Sequence, residues 1–325
     1  MKKQILRLLT LQLLLCSCTF YTSQENEEKK DKENLCIISW NVQTFFDSTT
    51  DGTEYSEFLK NTKWNKDAYI TRLTRLSDSL KILDADVIIM QEIENEAILC
   101  DIYNFMAGEW NLKKIYSYAA FAKDEGSSIG CAVLSRYPLS SLKVHGLEIR
   151  TEYSSQPKMR PLMELYVIKN EKPLHLFVNH WKSMSGGKEE SEVWRLWQEK
   201  VLAKKLSQSQ NNFIAGDFNK DILSFNITEN QNGIKTNVLL DNCISVNSAW
   251  FHSDGTLQEP GSYYYQGEWS RIDQMFYTDA LIAENFEACT DGPWCNSETL
   301  VPQKYTLWNG SGYSDHLPLK CTVWF

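Results

Sequence analysis

Polar residues suited to metal or phosphate chemistry recur where predicted strands end. Near the C-terminus, Ser314, Asp315 and His316 come just before a final apolar run, 319–325. Adjacent residues of a strand point to opposite faces of a sheet. Asp315 and His316 can therefore serve one site only if the backbone turns at this point. The tripeptide is either a loop cap or part of a hydrolytic site, and the choice depends on what else in the chain can meet it.

Further predicted strand ends carry groups of the same kind. They are Asn41, Glu92, His180, the pair Asp217 and Asn219, and Asp273. Each has a simple structural explanation when taken alone, such as the cap of a turn or an ion pair with a neighbouring arginine. The coincidence of six such positions in one chain favours one shared site over six independent structural roles.

Hydrophobic patterns predict the elements that position these groups. Short apolar runs predict buried strands at 35–40, 86–90, 174–179 and 213–215, each ending at a candidate site residue. Apolar side chains at helical spacing predict amphipathic helices at 66–83 and 193–206. A further helix is predicted at 93–106, and further strands are predicted at 115–121, 129–134, 143–149, 162–168, 263–265, 272–277 and 319–324.

Two successive runs of strand, helix and hairpin indicate two similar halves. Their simplest packing is two mixed β-sheets face to face, with helices on both outer faces. No stretch within 35–325 is long or polar enough to act as a linker. We therefore predict one α+β domain over residues 35–325.

Composition and charge limit the classes of molecule that the protein can bind. With 325 residues, 42% of them hydrophobic, the chain is long enough to bury a large core. The formal net charge is −9, and loss of residues 1–17 would remove three basic residues and no acidic one, giving −12. A broad basic surface for nucleic acid is therefore absent. A phosphate substrate is still compatible, because a bound divalent cation can be the largest local positive charge in a site.

The N-terminus predicts an exported lipoprotein. Three basic residues precede an apolar stretch, 8–15, that is too short to span a bilayer and is built like a signal peptide. The sequence Leu15-Cys16-Ser17-Cys18 resembles the bacterial lipobox, which implies cleavage after residue 17 and lipidation of Cys18; a plain secretory signal is the alternative. Residues 18–34 are dense in charge and predict a disordered tether. We expect a lipid-anchored protein of the outer membrane that faces the periplasm or the cell surface.

The chain resembles the endonuclease/exonuclease/phosphatase superfamily, which includes deoxyribonucleases, abasic-site endonucleases, sphingomyelinases and inositol polyphosphate phosphatases. The resemblance spans about 35–325 and follows the family's order. Its motifs are Trp40-Asn41-Val42, Gln91-Glu92, Asn179-His180-Trp181-Lys182-Ser183, Gly216-Asp217-Phe218-Asn219, Arg271-Ile272-Asp273 and Ser314-Asp315-His316. The resemblance implies a four-layer α/β-sandwich, helix–sheet–sheet–helix, with the site on loops at one end.

Phosphodiester hydrolysis requires groups of the types present. It needs a nucleophilic water, a Lewis acid on the phosphoryl oxygens and stabilisation of the leaving alkoxide. Glu92, Asp315 and the amide oxygen of Asn41 are hard oxygen ligands that suit Mg²⁺ or Mn²⁺.

The resemblance also implies how the water is activated. A carboxylate behind His316 would set its tautomer and charge, and the resemblance identifies that carboxylate as Asp273. Asp217 and His316 are both candidates to take the proton from water. Asn219 would hold that water or a phosphate oxygen.

Three further residues match substrate-binding positions of the nuclease branch. His180 resembles its second histidine, a phosphate ligand or general acid, and Arg160 resembles its phosphate-binding arginine. Lys182 is a candidate for a second phosphate of an extended chain. A surface charge and a solvated loop are the structural alternatives for Arg160 and Lys182. Pancreatic-type enzymes place a glutamate behind this histidine, near 127–130 here, and this chain has none there.

These features predict a divalent-metal-dependent endonuclease outside the cytoplasm that hydrolyses DNA, with RNA as a further substrate, and that acts as a monomer. The enzymatic alternative is a lipid phosphodiesterase of sphingomyelinase type. Such an enzyme needs an exposed apolar hairpin, for which the Trp-rich stretch 294–308 is the candidate. A catalytically silent surface binding protein is the alternative of another class, and the complete set of acids together with His316 argues against it.

Overall fold

The computed structural model describes residues 29–60, 63–109, 111, 114–147, 156–206 and 211–325. Lys29 pairs with Glu284 and lies 5.2 Å from the ring centroid of Trp324. The backbones of Glu33 and Phe325 exchange hydrogen bonds of 3.0 and 2.9 Å. Contacts with the folded domain therefore begin inside the predicted tether, before the predicted boundary at residue 35. Cys18 and the signal-like stretch lie outside the described residues.

Two large sheets form the centre of the molecule. The first contains, in spatial order, β15 (Ile282–Ala288), β16 (Leu319–Trp324), β1 (Asn34–Phe45), β2 (Val87–Ile93), β4 (Gly130–Ser135) and β3 (Tyr118–Ala122). The second contains β5 (Leu139–His145), β6 (Leu162–Lys169), β7 (Lys172–His180), β8 (Asn212–Asp217), β14 (Asp273–Tyr277), β11 (Ile244–Ser248), β10 (Lys235–Leu240) and β9 (Ile227–Glu229). A separate hairpin consists of β12 (Tyr263–Tyr265) and β13 (Glu268–Ser270).

The described helices are α1 (Ser56–Leu59), α2 (Lys66–Leu83), α3 (Glu96–Glu109) and α4 (Lys188–Leu206), with a 3₁₀ turn at Ile222–Ser224. Helix α2 begins where the Asn65 side chain accepts the N–H groups of Asp67 and Ala68, and it ends at Asp84 in a left-handed conformation. No helix among the described residues is both long and apolar enough to cross a membrane.

Each sheet contains one parallel pair joined through a helix. Strands β1 and β2 are parallel and connected through α2, and β7 and β8 are parallel and connected through α4. The remaining pairings of described strands are antiparallel, so both sheets are mixed. A helical crossover is the usual connection between parallel neighbours. The predicted pair of similar halves corresponds to these two units.

The two sheets pack face to face, with helices outside them. Strands β1 and β2 of the first sheet contact β8 of the second, and β2 and β4 contact β7. Helix α2 lies on the outer side of the first sheet, where Tyr69 meets Phe45 of β1 at 6.4 Å between ring centroids. Helix α4 contacts β10 of the second sheet. The predicted fold, a four-layer α/β-sandwich, is confirmed.

Local prediction succeeded for the buried central strands and missed strands at or near one edge of each sheet. The predicted bounds of α2 and β16 match the structure, whereas β9, β10, β11 and β15 were not predicted. Strand β15 reads IAENFEA, is mostly half-buried or exposed, and pairs on one side with β16. Such a strand lacks the apolar run that identifies a buried one, so its pairing partner decides its conformation.

Gly216, next to the candidate site, occupies a position where a side chain does not fit. Its φ is +141°, and a Cβ built there would lie 1.9 Å from the carbonyl oxygen of Asn179 on the neighbouring strand. The parallel register places Asn179 beside Gly216 and His180 beside Asp217. The glycine thus permits the close approach of β7 and β8 that aligns these two site residues.

We predict that Gly216→Ala lowers the free energy of unfolding by about 3 kcal/mol, because the methyl group overlaps the Asn179 carbonyl. Urea denaturation followed by tryptophan fluorescence measures the change. Gly233→Ala is the matched control, since Gly233 also has positive φ (+74°) but has no atom within 4 Å of a built Cβ. The control should lose only about 1 kcal/mol, the cost of a left-handed alanine. Equal losses in both variants would show that backbone conformation, not strand approach, requires glycine at 216.

Candidate active site

One cleft collects most of the residues that the sequence predicted for the site. It has a volume of about 1040 Å³ and lies where strand ends of both sheets meet. Six predicted site residues line it: Glu92, His180, Asp217, Asn219, Asp315 and His316. Asp273 and Asn41 lie directly behind these residues and contact them, as described below. The structure therefore brings the proposed metal ligands and catalytic groups together at one place.

Strand register in the second sheet aligns three of these residues. His180 is paired with Asp217 across the parallel strands β7 and β8, and Asp217 is paired with Asp273 across the antiparallel strands β8 and β14. Paired residues on adjacent strands place their side chains on the same face about 5 Å apart. The three side chains consequently form a row, and all three are at least 98% buried.

Hydrogen bonds to β1 set the turn that the sequence Ser314-Asp315-His316 requires. The Ser314 hydroxyl donates to the carbonyl of Asn41 (2.5 Å) and accepts the N–H of His316 (3.1 Å). The Trp40 indole N–H donates to the His316 carbonyl (2.9 Å). Asp315 and His316 thus both line the cleft because Ser314 holds the backbone turn against the first sheet.

Asp273 orients His316. The His316 Nδ1–H donates to Asp273 Oδ2 at 2.8 Å. Burial by itself lowers the pKa of His316, but the charge and hydrogen bond of Asp273, with further negative charge from Asp217 and Asp315, raise it to about 10. The predicted role of Asp273 as the carboxylate behind His316 agrees with this geometry.

Asp217 is held by two asparagines. Its Oδ2 accepts the side-chain N–H groups of Asn41 (3.0 Å) and Asn219 (3.2 Å), and its Oδ1 accepts the backbone N–H of Asn219 (2.8 Å). Burial, and then the charge of Asp273, raise the pKa of Asp217 to about 7 in spite of the nearby His316. The predicted task of Asn219, holding a water or phosphate oxygen, is therefore joined by a second one, fixing the Asp217 carboxylate.

Glu92 reaches the cleft through an irregularity at the end of β2. The register between β2 and β4 shifts between Gln91 and Ile93, and Glu92 itself has a φ of +68°. A left-handed conformation costs a non-glycine residue about 1–2 kcal/mol. Its carboxylate is held by the backbone N–H of Thr44 on Oε2 (2.5 Å) and by Asn41 Nδ2 on Oε1 (3.2 Å). Strain of this kind, compensated by specific contacts, is typical of functional positions.

Arg72 of α2 secures the segment that holds Glu92. Its guanidinium donates to the carbonyls of Val42 (3.1 Å), Gln43 and Thr44 (2.9 Å). Gln43 and Thr44 both have positive φ, +54° and +44°. Arg72 also lies 3.7 Å from the ring centroid of Tyr305, and burial lowers its pKa to about 10. This buried cation supports the Thr44 N–H that contacts Glu92.

The donor set of Glu92 and Asp315 fits a hard divalent cation. Both carboxylates line the same cleft, and the Asp315 carboxylate has only Lys304, at 3.4 Å, as a cationic partner in the described chain. Mg²⁺ and Mn²⁺ prefer such oxygen ligands and complete their coordination with water. The Asn41 side-chain oxygen accepts the N–H of Gln43 (2.9 Å), and its nitrogen donates to the carboxylates of Glu92 and Asp217. Asn41 therefore positions both carboxylates, and its role as a metal ligand stays a prediction.

His180 and Arg160 form a contact that the sequence did not predict. The guanidinium Nη2 of Arg160 donates to His180 Nε2 at 3.1 Å, so this nitrogen is an acceptor and the imidazole is neutral. Burial, followed by the charges of Arg160 and His316, lowers the pKa of His180 well below its usual value. A neutral imidazole whose Nε2 accepts a hydrogen bond is not poised as a general acid. Contact with phosphate, the other predicted role of His180, also needs a ring N–H toward the substrate, so both roles stay predictions.

Nitrogen donors stand behind His180 where pancreatic-type enzymes are expected to have a glutamate. His180 Nδ1, Arg160 Nε and Asn179 Nδ2 are buried and have no hydrogen-bond partner among the described residues. The same three residues line a cavity of about 10 Å³, adjacent to Trp181 and Gln198. No carboxylate belongs to the described residues that line this cavity, in agreement with the absence of a glutamate at 127–130.

Two predicted phosphate contacts lie away from the cleft wall. Lys182 Nζ donates to the carbonyl (3.2 Å) and hydroxyl (3.4 Å) of Ser183, and Lys182 is absent from the cleft lining. Its contact with a second phosphate stays a prediction. Arg160 also stands outside the lining and acts one layer behind it, through His180. Lys182 is a basic side chain on a segment whose neighbours Ser183 and Met184 line the cleft, which is why sequence reasoning selected it.

Sequence reasoning missed four residues at the cleft or just behind it. Arg72 lies in an amphipathic helix and Lys304 in a loop segment, and neither belongs to a recognisable sequence motif. The other two are Tyr263 and Tyr265 of the hairpin β12–β13, which line the cleft next to His316. The Tyr263 ring lies 4.8 Å from His316 and 6.3 Å from Tyr265 between centroids. The alternation of three consecutive tyrosines was the available signal, because it places the first and third on one face.

Comparisons with known proteins agree with this arrangement. The model of the endonuclease/exonuclease/phosphatase family matches residues 36–323. No curated protein sequence matches the chain. Similar solved structures include TDP2 from D. rerio complexed with a single-strand DNA product, with a TM-score of 0.56 and 17% identity over 90% of this chain and 99% of that one.

Two bacterial structures are comparably similar. The mannosyl-6-phosphatase of Bacteroides thetaiotaomicron has a TM-score of 0.53 and 13% identity, covering 90% of this chain and 100% of its own. Beta toxin from Staphylococcus aureus, with bound magnesium ions, has a TM-score of 0.55 and 16% identity, covering 89% and 99%. At such identities the likeness concerns the fold. With the family match over nearly the whole described domain, the chain belongs to the endonuclease/exonuclease/phosphatase family of metal-dependent phosphoester hydrolases.

Proposed function

We propose that this protein is a divalent-metal-dependent phosphodiesterase that cleaves DNA as an endonuclease, with RNA as a second substrate. The observation that carries the proposal is the continuous series His316, Tyr263 and Tyr265, which leads from the Asp273–His316 pair outward along the cleft. Tyr263 and Tyr265 are nearly parallel, with an interplanar angle of 18°. Aromatic side chains in such a row are suited to stacking against successive bases.

The chain's own residues account for activation of water. The form of His316 that can act as the base is the neutral imidazole, in which Asp273 accepts the Nδ1–H and the lone pair of Nε2 accepts a proton from water. Because the surrounding carboxylates raise the pKa of His316 to about 10, this form requires that a bound cation offset part of their negative charge. Asp217, fixed by Asn41 and Asn219, is the second group placed to take that proton. A divalent cation on Glu92 and Asp315 supplies Lewis-acid polarisation of the phosphoryl oxygens when it is bound.

Two cations, Arg160 behind the cleft lining and Lys304 within it, supply positive charge near the phosphate. The Arg160 guanidinium is directed onto His180, which lines the cleft. Hydrogen-bond donors and charges arranged before substrate binding stabilise developing negative charge without reorganisation. Lys304, 65% exposed and near Asp315, adds a mobile cation at the rim. These two side chains supply local positive charge, although the chain as a whole is acidic.

The lipid alternative loses the feature on which it depended. Trp294 is 99% buried and packs edge-on against Trp40 at 5.9 Å, so it belongs to the core. Trp308 is exposed but single, and Lys63 lies 6.0 Å from its ring. A membrane-inserting hairpin needs several apolar side chains in solvent. The fold shared with TDP2, which is seen with a DNA product, is compatible with the nuclease proposal.

We predict that the purified protein nicks supercoiled plasmid DNA with Mg²⁺ and stops when EDTA is added, because the phosphoryl oxygens lose their Lewis acid. His316→Ala should lower the rate at least about 10³-fold, since the base is removed. Gel electrophoresis of the plasmid gives the rates. His252→Ala is the control, because His252 is exposed and distant from the cleft lining, and it should retain full activity.

Tyrosine variants in the same assay test the polynucleotide part of the proposal. Tyr265→Ala should raise KM for single-stranded DNA about tenfold, the value of one lost stacking contact, with no change on bis(p-nitrophenyl) phosphate. Tyr264→Ala is the matched control, because Tyr264 is on the other face of β12 and packs on Trp269 at 5.1 Å. Hydrolysis of sphingomyelin or of a sugar phosphate in the absence of DNA cleavage would refute the nuclease assignment.

Asp273→Asn is expected to lower kcat about 10²–10⁴-fold with little change in KM, because His316 loses the carboxylate that orients its reactive tautomer. Steady-state hydrolysis of bis(p-nitrophenyl) phosphate measures both constants. Asp279→Asn should behave as wild type, since this exposed carboxylate contacts only Asn247. A large rise in the Mg²⁺ concentration needed for half-maximal rate would instead assign Asp273 to metal binding.

We also propose that the protein is anchored to the outer membrane by a lipid on Cys18, facing the periplasm or the cell surface. Support comes from the lipobox-like sequence ending at Cys18. Cells grown with radioactive palmitate should incorporate label into the protein, and Cys18→Ala should abolish labelling. Cys16→Ala is the matched control and should retain it. Label that persists in Cys18→Ala would contradict the anchor.

A further inference from the structure

A cluster of carboxylates lies outside the cleft, between the β1–α1 loop and the end of β2. We call Asp51, Glu54 and Glu94 the loop cluster. One carboxylate oxygen from each lies within 4.8 Å of those of the other two. Asp51 and Glu54 belong to the loop, whereas Glu94 follows β2 directly. The three side chains thus approach one another from two separate segments.

Glu94 is the buried member of this cluster, and one of its carboxylate oxygens has no hydrogen-bond partner among the described residues. Its side chain is 1% exposed. Oε2 accepts the backbone N–H of Asp47 (2.6 Å), but Oε1 has no hydrogen-bond partner among the described residues. A buried carboxylate oxygen without a donor is costly, and such atoms in native structures commonly contact an ion or water. The mechanism proposed above does not use Glu94.

Positive charge from the protein does not neutralise the loop cluster. In the described chain no lysine, arginine or histidine comes within 4.0 Å of the carboxylates of Asp51, Glu54 or Glu94. Asp47 adds a fourth carboxylate nearby, which is already engaged by Thr49 and Asn95. The backbone N–H groups of Asp51 and Gly52 donate to the two Glu54 oxygens (2.9 and 2.8 Å), but hydrogen bonds of this kind leave the repulsion among three carboxylates without a formal positive charge to offset it.

The ligand chemistry favours Ca²⁺. All the converging groups are hard oxygens, which excludes metals that prefer nitrogen or sulfur. Ca²⁺ binds oxygens at about 2.3–2.6 Å, so opposite ligands lie about 5 Å apart, whereas Mg²⁺ requires about 2.1 Å and near-ideal octahedral geometry. Carboxylates contributed by an exposed loop and a strand end, with no rigid octahedral frame, suit the more adaptable coordination of Ca²⁺.

We propose that Asp51, Glu54 and Glu94 form a Ca²⁺ site that ties the β1–α1 loop to the end of β2. Glu94 is two residues from Glu92, and the loop continues from Thr44, whose N–H holds the Glu92 carboxylate. The ion therefore braces both segments that position Glu92, without entering the cleft. The proposal does not depend on the substrate of the enzyme, because its test measures binding and unfolding.

Thermal unfolding of the full chain, stripped with EDTA and returned to saturating Mg²⁺, provides the test. Added Ca²⁺ at about 100 times its Kd should raise Tm by several degrees, because it binds only the folded state. Isothermal titration calorimetry should show one Ca²⁺ per chain in the presence of Mg²⁺. Asp51→Asn and Glu94→Gln should each abolish the Ca²⁺-dependent shift and the heat. Asp51 is exposed, so Asp51→Asn should still fold. It therefore tests the Ca²⁺ site even if Glu94→Gln fails to fold.

Two controls separate this site from other acidic groups. Asp254 accepts the N–H (2.9 Å) and hydroxyl (2.6 Å) of Thr256 just as Asp51 accepts those of Thr53 (2.8 and 2.6 Å), but it lies outside the loop cluster. Asp254→Asn should keep the full shift, and so should Glu92→Gln. The proposal is overturned if wild type shows no shift, if Asp51→Asn retains it, or if Glu92→Gln alone loses it.

Discussion

The hydrogen bond between Asp273 and His316 is the interaction on which the site depends. Asp273 belongs to β14 of the second sheet, and His316 is held by Trp40 and Ser314 against β1 of the first. Both side chains are buried, with exposures of 1% and 6%. A buried carboxylate and imidazole that lose each other leave two unsatisfied polar groups, so the pair resists separation of the sheets. The Asn41–Asp217 bond crosses between the sheets in the same way.

Besides these hydrogen bonds between the sheets, the site depends on strained backbone at the end of the first sheet. Gln43, Thr44 and Glu92 are all left-handed, and the contacts of Arg72 and Thr44 hold them there. The strain turns Glu92 away from the direction that a regular strand would give it. The surrounding packing and hydrogen bonds compensate the energetic cost of this backbone conformation, which directs the Glu92 carboxylate into the cleft. Such a carboxylate can meet a cation and a phosphate without further rearrangement.

The His180 side of the cleft departs from the pattern expected of pancreatic-type deoxyribonucleases. There a glutamate is expected to hold the histidine and favour its protonated form. Here the Arg160 guanidinium contacts the ring, and only nitrogen donors surround its back. The positive charge on this side of the cleft therefore belongs to Arg160, which lies against a neutral imidazole.

The sequence by itself determined the class of fold, the strand ends that carry the chemistry and six of the residues that line the cleft, because buried strands and polar strand ends leave period and motif signals in the chain. Tertiary structure alone decided the facing of Asn41, the isolation of Lys182, the Arg160–His180 contact and the tyrosine series beside His316. These depend on register, on left-handed backbone and on contacts across the two sheets. Only the folded chain also brings Asp51 and Glu54 to Glu94, since residues about forty positions apart along the chain meet through the pairing of β1 with β2.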